Sequence, residues 1–251
     1  MAIDRVALVT GANKGVGKQV ARELVAGGLK VYVGSRDVVR GQTAAAEIGD
    51  GAVAVQLDVT DSASIASAAE RIGAEVGRLD VLVSNAGISH AEGDGFTMEQ
   101  YAAMSKPSSA PINEMRAVWE VNVFGALSVY QAMLPLLRQS ADARIVNVTS
   151  GLGSLTDAAD PGNAYRATFG PIYPASKTAL NALTLSMMIE LEDTDIKVNL
   201  VSPAFTATAL NNFAGTESVE DGSREVVRVA LLGPDGPSGT FTLWEAQEIP
   251  W

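Results

Sequence analysis

The 251-residue chain contains no cysteine. This absence excludes disulfides, thiol nucleophiles and zinc–thiolate sites, and it fits a cytoplasmic location, which we predict. Histidine is almost as scarce, because His90 is the only one in the sequence. A Ser-His-Asp triad or a multi-histidine metal site would have to be built around it. We interpret His90 as a solvated loop residue, with a catalytic role as the less favoured alternative, and we predict no metal.

Long apolar runs and an excess of positive charge are also missing. No apolar stretch reaches the roughly 20 residues that span a bilayer. The first residues, "MAIDRVALVTGA", lack a basic region and lead directly into a strand, so they do not resemble a signal peptide. The formal charge of −11 makes nucleic acid and anionic membrane surfaces unfavourable partners. With 47% hydrophobic and 19% charged residues, the composition is that of an ordinary globular protein.

The remaining pattern alternates short β-branched runs with longer helical stretches. The runs are almost continuously apolar, which is typical of parallel strands buried on both faces. They are "RVALVT" (5–10), "KVYVGS" (30–35), "AVAVQL" (52–57), "LDVLVS" (79–84), "ARIVNVT" (143–149), "IKVNLVS" (196–202) and a short last strand, "GTFTLW" (239–244). Between them, Val16, Val20 and Leu24 recur at helical spacing, and Asp61 is placed to cap another helix. The repeated units predict one α/β domain over 1–251, a doubly wound, Rossmann-like parallel sheet with helices on both faces.

Two looser segments, 90–111 and 205–223, follow predicted strands at the edge where such sheets bind ligands. We therefore expect them to border a substrate pocket. Two longer helices, about 112–138 and 173–192, are apolar on more than one face. Because such helices are normally buried on most sides, we predict a homo-oligomer, either a dimer or a tetramer. A monomer is the alternative if another segment covers these helices.

The turn "VTGANKGVG" contains three glycines, Gly11, Gly15 and Gly17, between the first strand and the first helix. Glycines here allow a tight turn and a close approach of the backbone to a pyrophosphate, which the helix N-terminus then stabilises. The spacing G-x-x-x-G-x-G differs from the common G-x-G-x-x-G fingerprint. Its position after the first strand favours dinucleotide binding over a turn kept for packing alone.

Two tyrosines compete for a catalytic role. Residues four apart share a helix face, so Lys177 lies beside Tyr173, whereas the matching position for Tyr165 is occupied by Phe169. An unperturbed tyrosine has a pKa of about 10, and a nearby cation favours the phenolate and eases proton exchange. The lysine partner therefore indicates that Tyr173 is the catalytic tyrosine.

The motifs of the chain, taken in order, resemble those of the short-chain dehydrogenase/reductase family. They are "TGANKGVG" (10–17), "LDVT" (57–60), "SNAG" (84–87), Asn122 in "VWEVNVFG", Ser150 in "IVNVTS", "YPASK" (173–177) and "VSPAFTAT" (201–208). The match covers nearly the whole chain, and the first motif resembles the carbonyl-reductase branch.

The resemblance implies catalytic roles for four residues. Tyr173 would exchange a proton with the substrate oxygen, Ser150 would position that oxygen, Lys177 would also hold the nicotinamide ribose, and Asn122 would anchor a proton-relaying water. The cofactor set that it implies is Gly11, Asn13, Lys14, Gly15, Val16, Gly17, Arg36, Asp58, Val59, Asn85, Ala86, Gly87, Tyr173, Lys177, Pro203, Phe205, Thr206 and Thr208. Ser150 precedes Tyr173 by 23 residues, longer than the family's usual separation, which Tyr165 would fit better. An insertion at 153–170 accounts for the difference, and this branch carries insertions at the same point.

The choice between NAD and NADP rests on the end of the second strand, which should lie beside the adenosine ribose. Arg36 there suits a 2′-phosphate, whereas Asp37 suits a 2′-hydroxyl. Lys14 favours the phosphate, because the carbonyl-reductase branch places a basic residue toward that group. We therefore predict NADPH.

Ala204 replaces the glycine usual in the family after Pro203, and we expect its backbone to avoid positive φ.

We predict that the protein is an NADP-dependent oxidoreductase. It would transfer a hydride between NADPH and a ketone or aldehyde, with Tyr173 as proton donor. One alternative is a dinucleotide sensor or scaffold without chemistry, and another is an epimerase or dehydratase on the same fold. Apolar residues at the predicted pocket rim indicate a largely hydrophobic carbonyl or alcohol substrate. These residues are Leu152, Ile172, Phe205 and Phe213.

Overall fold

A computed structural model describes residues 5–91 and 106–251. Its strands are β1 (Val6–Val9), β2 (Lys30–Ser35), β3 (Ala52–Gln56), β4 (Val81–Ser84), β5 (Arg144–Val148), β6 (Lys197–Val201), β7 (Phe241–Leu243) and β8 (Gln247–Glu248). They form one sheet in the order β3-β2-β1-β4-β5-β6-β7-β8. Neighbouring strands are parallel except for β7 and β8, which are antiparallel. All seven predicted strands are confirmed, whereas β8 was not predicted.

The helices are α1 (Gly15–Ala26), α2 (Val38–Ile48), α3 (Ser62–Glu75), α4 (Ile112–Trp119), α5 (Ala126–Leu137), α6 (Leu155–Ala159), α7 (Tyr173–Glu190) and α8 (Val219–Ala230). A π-helical turn, Glu120–Gly125, connects α4 to α5, so the helix predicted over 112–138 is one continuous path with a wider turn in its middle. Asp61 caps α3 as predicted, since its carboxylate accepts a 2.9 Å hydrogen bond from the Ala63 amide. No helix within the described ranges is long and apolar enough to cross a membrane.

Helices cover both faces of the sheet, which confirms the doubly wound fold. Successive strand residues point to opposite faces. Leu8 belongs to the apolar cluster that includes helices α3, α5 and α7, whereas Val9 belongs to the cluster that includes α1, α2 and α8. Both side chains are fully buried. This double burial explains why the strands are continuously apolar instead of alternating with polar residues.

The chain reverses its direction of travel across the sheet between β1 and β4, which are neighbours although β2 and β3 separate them in sequence. A crevice at the carboxyl ends of the strands is expected at such a switch point. Of the two segments expected to border a pocket, most of 90–111 falls on residues 92–105, outside the described residues. The segment 205–223 is more regular than expected, because α8 begins within it and Ser218 caps that helix.

Candidate active site

A cleft of about 1020 Å³ lies at the carboxyl ends of the central strands. Its walls come from the turns that follow each of the strands β1 to β6. Every residue predicted to take part in catalysis or cofactor binding lines this cleft, with the exception of Asn122. The fold thus gathers residues from position 11 to position 208 around one opening.

The glycine turn has the backbone geometry that its sequence predicts. Gly11 and Gly15 adopt positive φ angles of 63° and 56°, which side-chain-bearing residues avoid. A Cβ atom on Gly17 would lie 2.7 Å from the Gly11 carbonyl oxygen, so the turn has no room for a side chain at this position. Lys14 precedes α1 without capping it, and the first turn of α1 contains no acidic residue. The amides at this helix start therefore suit an anionic pyrophosphate.

Thr10, which was not among the predicted residues, connects this turn to the one after β4. Its hydroxyl oxygen accepts hydrogen bonds from the amides of Asn85 (3.0 Å) and Ala86 (2.9 Å). The Asn85 side chain donates in return to the Thr10 carbonyl oxygen at 3.0 Å. Two walls of the cleft are fixed relative to each other by this exchange. The threonine before the first glycine was visible in the sequence, but its partners were not.

Opposite charges stand side by side at the end of β2. The Asp37 carboxylate caps α2 by accepting a 3.0 Å hydrogen bond from the Arg40 amide, and it lies 3.4 Å from the Arg40 guanidinium. Arg36 and Lys14 are exposed and line the cleft. Asp37 also lines the cleft, but its carboxylate is engaged at the start of its own helix. Asp58, which also lines the cleft, accepts hydrogen bonds through Oδ1 from the amide and the hydroxyl of Thr60.

The structure brings Tyr173, Ser150 and Lys177 together and leaves Tyr165 outside. Tyr173 and Lys177 are both on α7, and the Lys177 Nζ atom lies 5.7 Å from the centre of the Tyr173 ring. Lys177 is only 4% exposed, and its Nζ donates a 3.0 Å hydrogen bond to the Val148 carbonyl at the end of β5. Tyr165 is 70% exposed and does not line the cleft.

Burial dominates the ionisation of this pair. It raises the pKa of Tyr173 to about 12, although interaction with the Ser150 hydroxyl acts in the opposite direction. Burial also lowers the pKa of Lys177 to about 8. Removal of the phenol from water is therefore the largest influence on the pKa of Tyr173 in the ligand-free protein. With this raised pKa, Tyr173 keeps its proton at neutral pH.

Asn122 occupies the π-helical turn and is 1% exposed. Its side-chain oxygen accepts a 2.9 Å hydrogen bond from the Ile88 amide, and its Nδ2 donates to the Ile88 carbonyl (2.8 Å) and the Ser176 hydroxyl (3.0 Å). Ser176 in turn donates to the Tyr173 carbonyl at 2.7 Å. Asn122 therefore connects the turn after β4 to the first turn of α7. Ser176 was missed as a positioning residue, although it lies within the "YPASK" motif.

The insertion between Ser150 and Tyr173 forms a wall of the cleft. It contains α6 and a short 3-10 helix at Arg166–Thr168, and its residues 167, 168 and 170 line the opening. The Arg166 guanidinium donates 2.7 Å hydrogen bonds to the carbonyls of Ala158 and Ala159, which folds the segment back on itself. Thr156 donates through its hydroxyl to the Trp251 carbonyl at 2.6 Å. The insertion is thus held by internal and tail contacts.

Two expectations about individual residues are wrong. Ala204 adopts a positive φ of 55°, because the chain turns sharply after Pro203 and the Thr206 hydroxyl donates a 2.5 Å hydrogen bond back to the Pro203 carbonyl. His90 lies in a loop as expected, but it is partly buried and lines the cleft, so it is not the fully solvated residue that was expected. Its Nδ1 is 2.8 Å from the Ser89 hydroxyl, which itself donates to the Leu210 carbonyl at 2.5 Å.

Comparison with known proteins agrees with this geometry. A family model described as short chain dehydrogenase matches residues 5–218. A (+)-neomenthol dehydrogenase from Arabidopsis thaliana is 33% identical, covering 94% of this chain and 95% of that protein. The solved structure of salutaridine reductase from Papaver somniferum is 30% identical, with a TM-score of 0.80 over 96% of this chain and 99% of that one. A metagenomic short-chain oxidoreductase solved in complex with NADP is 27% identical, with a TM-score of 0.69 over 95% of each chain.

Proposed function

The chain belongs to the short-chain dehydrogenase family and is an oxidoreductase acting on CH–OH and C=O groups, and we propose that it uses NADPH to reduce a ketone or aldehyde with Tyr173 as proton donor. One observation carries the proposal. A buried lysine, a protonated tyrosine and a serine hydroxyl converge at the carboxyl end of β5, inside a cleft whose other end is a glycine turn.

The residues of the cleft fit a nicotinamide dinucleotide. The glycine turn and the uncapped start of α1 suit the pyrophosphate, and Arg36 with Lys14 suits a 2′-phosphate at the far end. The similar metagenomic oxidoreductase was solved with NADP, which supports the same choice here. When bound, the reduced nicotinamide supplies the hydride. Lys177 would hold the nicotinamide ribose, and the turns 85–87 and 203–208 would complete the site.

The proton chemistry follows from the three residues. Ser150 donates a hydrogen bond to the carbonyl oxygen and orients the carbonyl for attack at carbon. As a new C–H bond forms at that carbon, the Tyr173 O–H bond breaks and its proton moves to the oxygen, which leaves an alcohol. The adjacent Lys177 ammonium stabilises the phenolate that forms. Asn122 keeps Ile88 and Ser176 in place and is the proposed anchor of the water that returns a proton.

Two other functions are less well supported. A sensor or scaffold would need the cofactor site but no tyrosine beside a buried lysine, and that pair is present. An epimerase or dehydratase on this fold could use the same pair, but the relatives above are named as a dehydrogenase and a reductase. The single-domain organisation, the homo-oligomer and the cytoplasmic location stay predictions.

The proposal is tested by mixing the purified protein with NADPH and a panel of aldehydes, ketones and quinones. Consumption of NADPH is followed by its absorbance, and each alcohol product is identified by mass. We expect carbonyl-dependent NADPH consumption with equimolar alcohol formation, faster with NADPH than with NADH. Tight NADPH binding without turnover across the panel would favour the sensor instead.

A further inference from the structure

Two aromatic side chains stand exposed in a cleft whose other apolar residues are largely covered. Phe213 is 70% exposed and Phe205 is 54% exposed, and both line the opening that contains Ser150 and Tyr173. Ile172, also in the wall, is only 4% exposed. Leaving a phenylalanine ring in water forfeits the free energy of its burial. A ring kept exposed at a cleft is therefore placed to bury its surface against a ligand.

The backbone under Phe213 is strained. Asn212 and Phe213 follow each other with φ angles of 52° and 61°, in the left-handed region. Asparagine tolerates this conformation because its short polar side chain adapts to it, whereas a bulky aromatic residue pays a steric cost. Strained residues of this kind concentrate at ligand sites, where the surrounding structure holds them in place. Phe213 is thus both exposed to solvent and in a backbone conformation that is unfavourable for an aromatic residue.

The turn that carries Phe213 is rigid. Thr208 and Asn211 form a reciprocal cap, in which the Thr208 amide donates to the Asn211 side chain at 3.1 Å. The Phe213 amide donates a 2.8 Å hydrogen bond back to the Thr208 carbonyl. Across the cleft, the Ser89 hydroxyl holds the Leu210 carbonyl at 2.5 Å. Because these hydrogen bonds hold the turn in the ligand-free protein, its backbone needs no ordering when a ligand binds to Phe213.

We propose that Phe213 is a specificity-determining residue that contacts the apolar body of the substrate and selects carbonyl compounds with a large, rigid hydrocarbon framework over small ones. This inference rests on the proposed function, because the reacting carbonyl must reach Ser150 and Tyr173. Phe205 and Leu152 line the same opening and extend the apolar surface. The proposal requires that a small ketone can react at Tyr173 without contacting the Phe213 ring, whereas a fused-ring ketone contacts it.

The chain offers a matched pair of variants for the test. Phe213→Gly removes the ring and relieves the strain, whereas Asn212→Gly relieves the same kind of strain at a residue that does not line the cleft. Both variants should unfold at the wild-type temperature or above it, because glycine accepts positive φ freely. The probes are 2-decalone, a fused-ring ketone, and cyclohexanone, its single-ring counterpart. Dissociation constants are measured by calorimetry on protein saturated with NADP⁺, and turnover is measured separately with NADPH.

Wild-type protein should bind 2-decalone more tightly than cyclohexanone. Phe213→Gly should weaken binding of 2-decalone about tenfold, with cyclohexanone and NADPH changed less than twofold, and Asn212→Gly should leave all three unchanged. The inference would be overturned if Phe213→Gly weakened binding of both ketones equally, or weakened binding of NADPH alone. It would also be overturned if Asn212→Gly weakened binding of 2-decalone as much as Phe213→Gly does. Binding of 2-decalone without any carbonyl turnover would contradict the proposed function but not the role of Phe213.

Discussion

The Nζ atom of Lys177 donates a 3.0 Å hydrogen bond to the carbonyl oxygen of Val148, two residues before Ser150. The bond ties α7 to the end of β5, so Tyr173 and Ser150 are held against each other by a lysine lying almost wholly inside the protein. Desolvation makes the ammonium form costly and lowers the pKa of Lys177 to about 8. Lys177 can therefore lose its charge within the working range of many enzymes.

We predict that kcat/KM for carbonyl reduction falls above pH 8. Below that value Lys177 is charged and stabilises the developing phenolate. Above it, the charged fraction of Lys177 falls about tenfold for each pH unit, and kcat/KM should fall with it. Tyr173 does not cause this decline, because its pKa is raised to about 12 and it stays protonated. Any residual activity of Lys177→Arg should persist to higher pH, since arginine keeps its charge. Lys30→Arg, at a lysine outside the cleft, is the control. A flat profile from pH 7 to 10 would contradict this assignment.

We predict that Arg36→Ala raises the KM for NADPH roughly 10- to 100-fold and changes the KM for NADH little, because a charge-assisted bond to the 2′-phosphate contributes about 1.5–3 kcal/mol. Steady-state kinetics with both cofactors checks this. Arg138→Ala, at an exposed arginine outside the cleft, is the matched control. If Asp37→Ala were the variant that shifted cofactor preference, by weakening NADH, the carboxylate and not the guanidinium would face the ribose.

We predict that Ala204→Gly raises the free energy of unfolding by about 0.5–1 kcal/mol. Ala204 has a φ of 55°, a conformation that is strained for alanine and free for glycine. Urea denaturation measures the change. Ala207→Gly, a few residues along the same turn and without positive φ, should instead lower stability or leave it unchanged. Equal destabilisation by the two substitutions would show that the backbone at 204 carries no strain.

We predict that the protein is a dimer or tetramer whose contacts involve the outer face of α7. Leu185 and Ile189 on α7 are 44% and 60% exposed, and Phe124 in the π-helical turn is 51% exposed. Ile189→Asp should reduce the mass measured by light scattering at micromolar concentration. Leu155→Asp, which places the same charge on an apolar residue that is 56% exposed in the insertion, should not. A monomeric wild-type mass would disprove this prediction.

The sheet could be predicted from the sequence because its strands are buried on both faces and appear as uninterrupted apolar runs. The proximity of Lys177 to Tyr173 could also be predicted, since a spacing of four residues is a local helical relationship. The two-residue strand β8 is too short to produce any periodicity. The positive φ of Ala204 and the bond between Ser89 and Leu210 depend on how distant turns meet, which no local pattern encodes.

The pair Tyr173→Phe and Tyr165→Phe tests the central claim most directly, because each substitution removes one hydroxyl and keeps the ring. The measurement is the kcat for NADPH-dependent reduction of the best carbonyl substrate, with NADPH affinity determined on the same samples by fluorescence. We predict that Tyr173→Phe lowers kcat by at least about 10²-fold while NADPH binding survives, and that Tyr165→Phe keeps most of the activity. An active Tyr173→Phe, or an inactive Tyr165→Phe, would contradict the assignment of Tyr173 as proton donor.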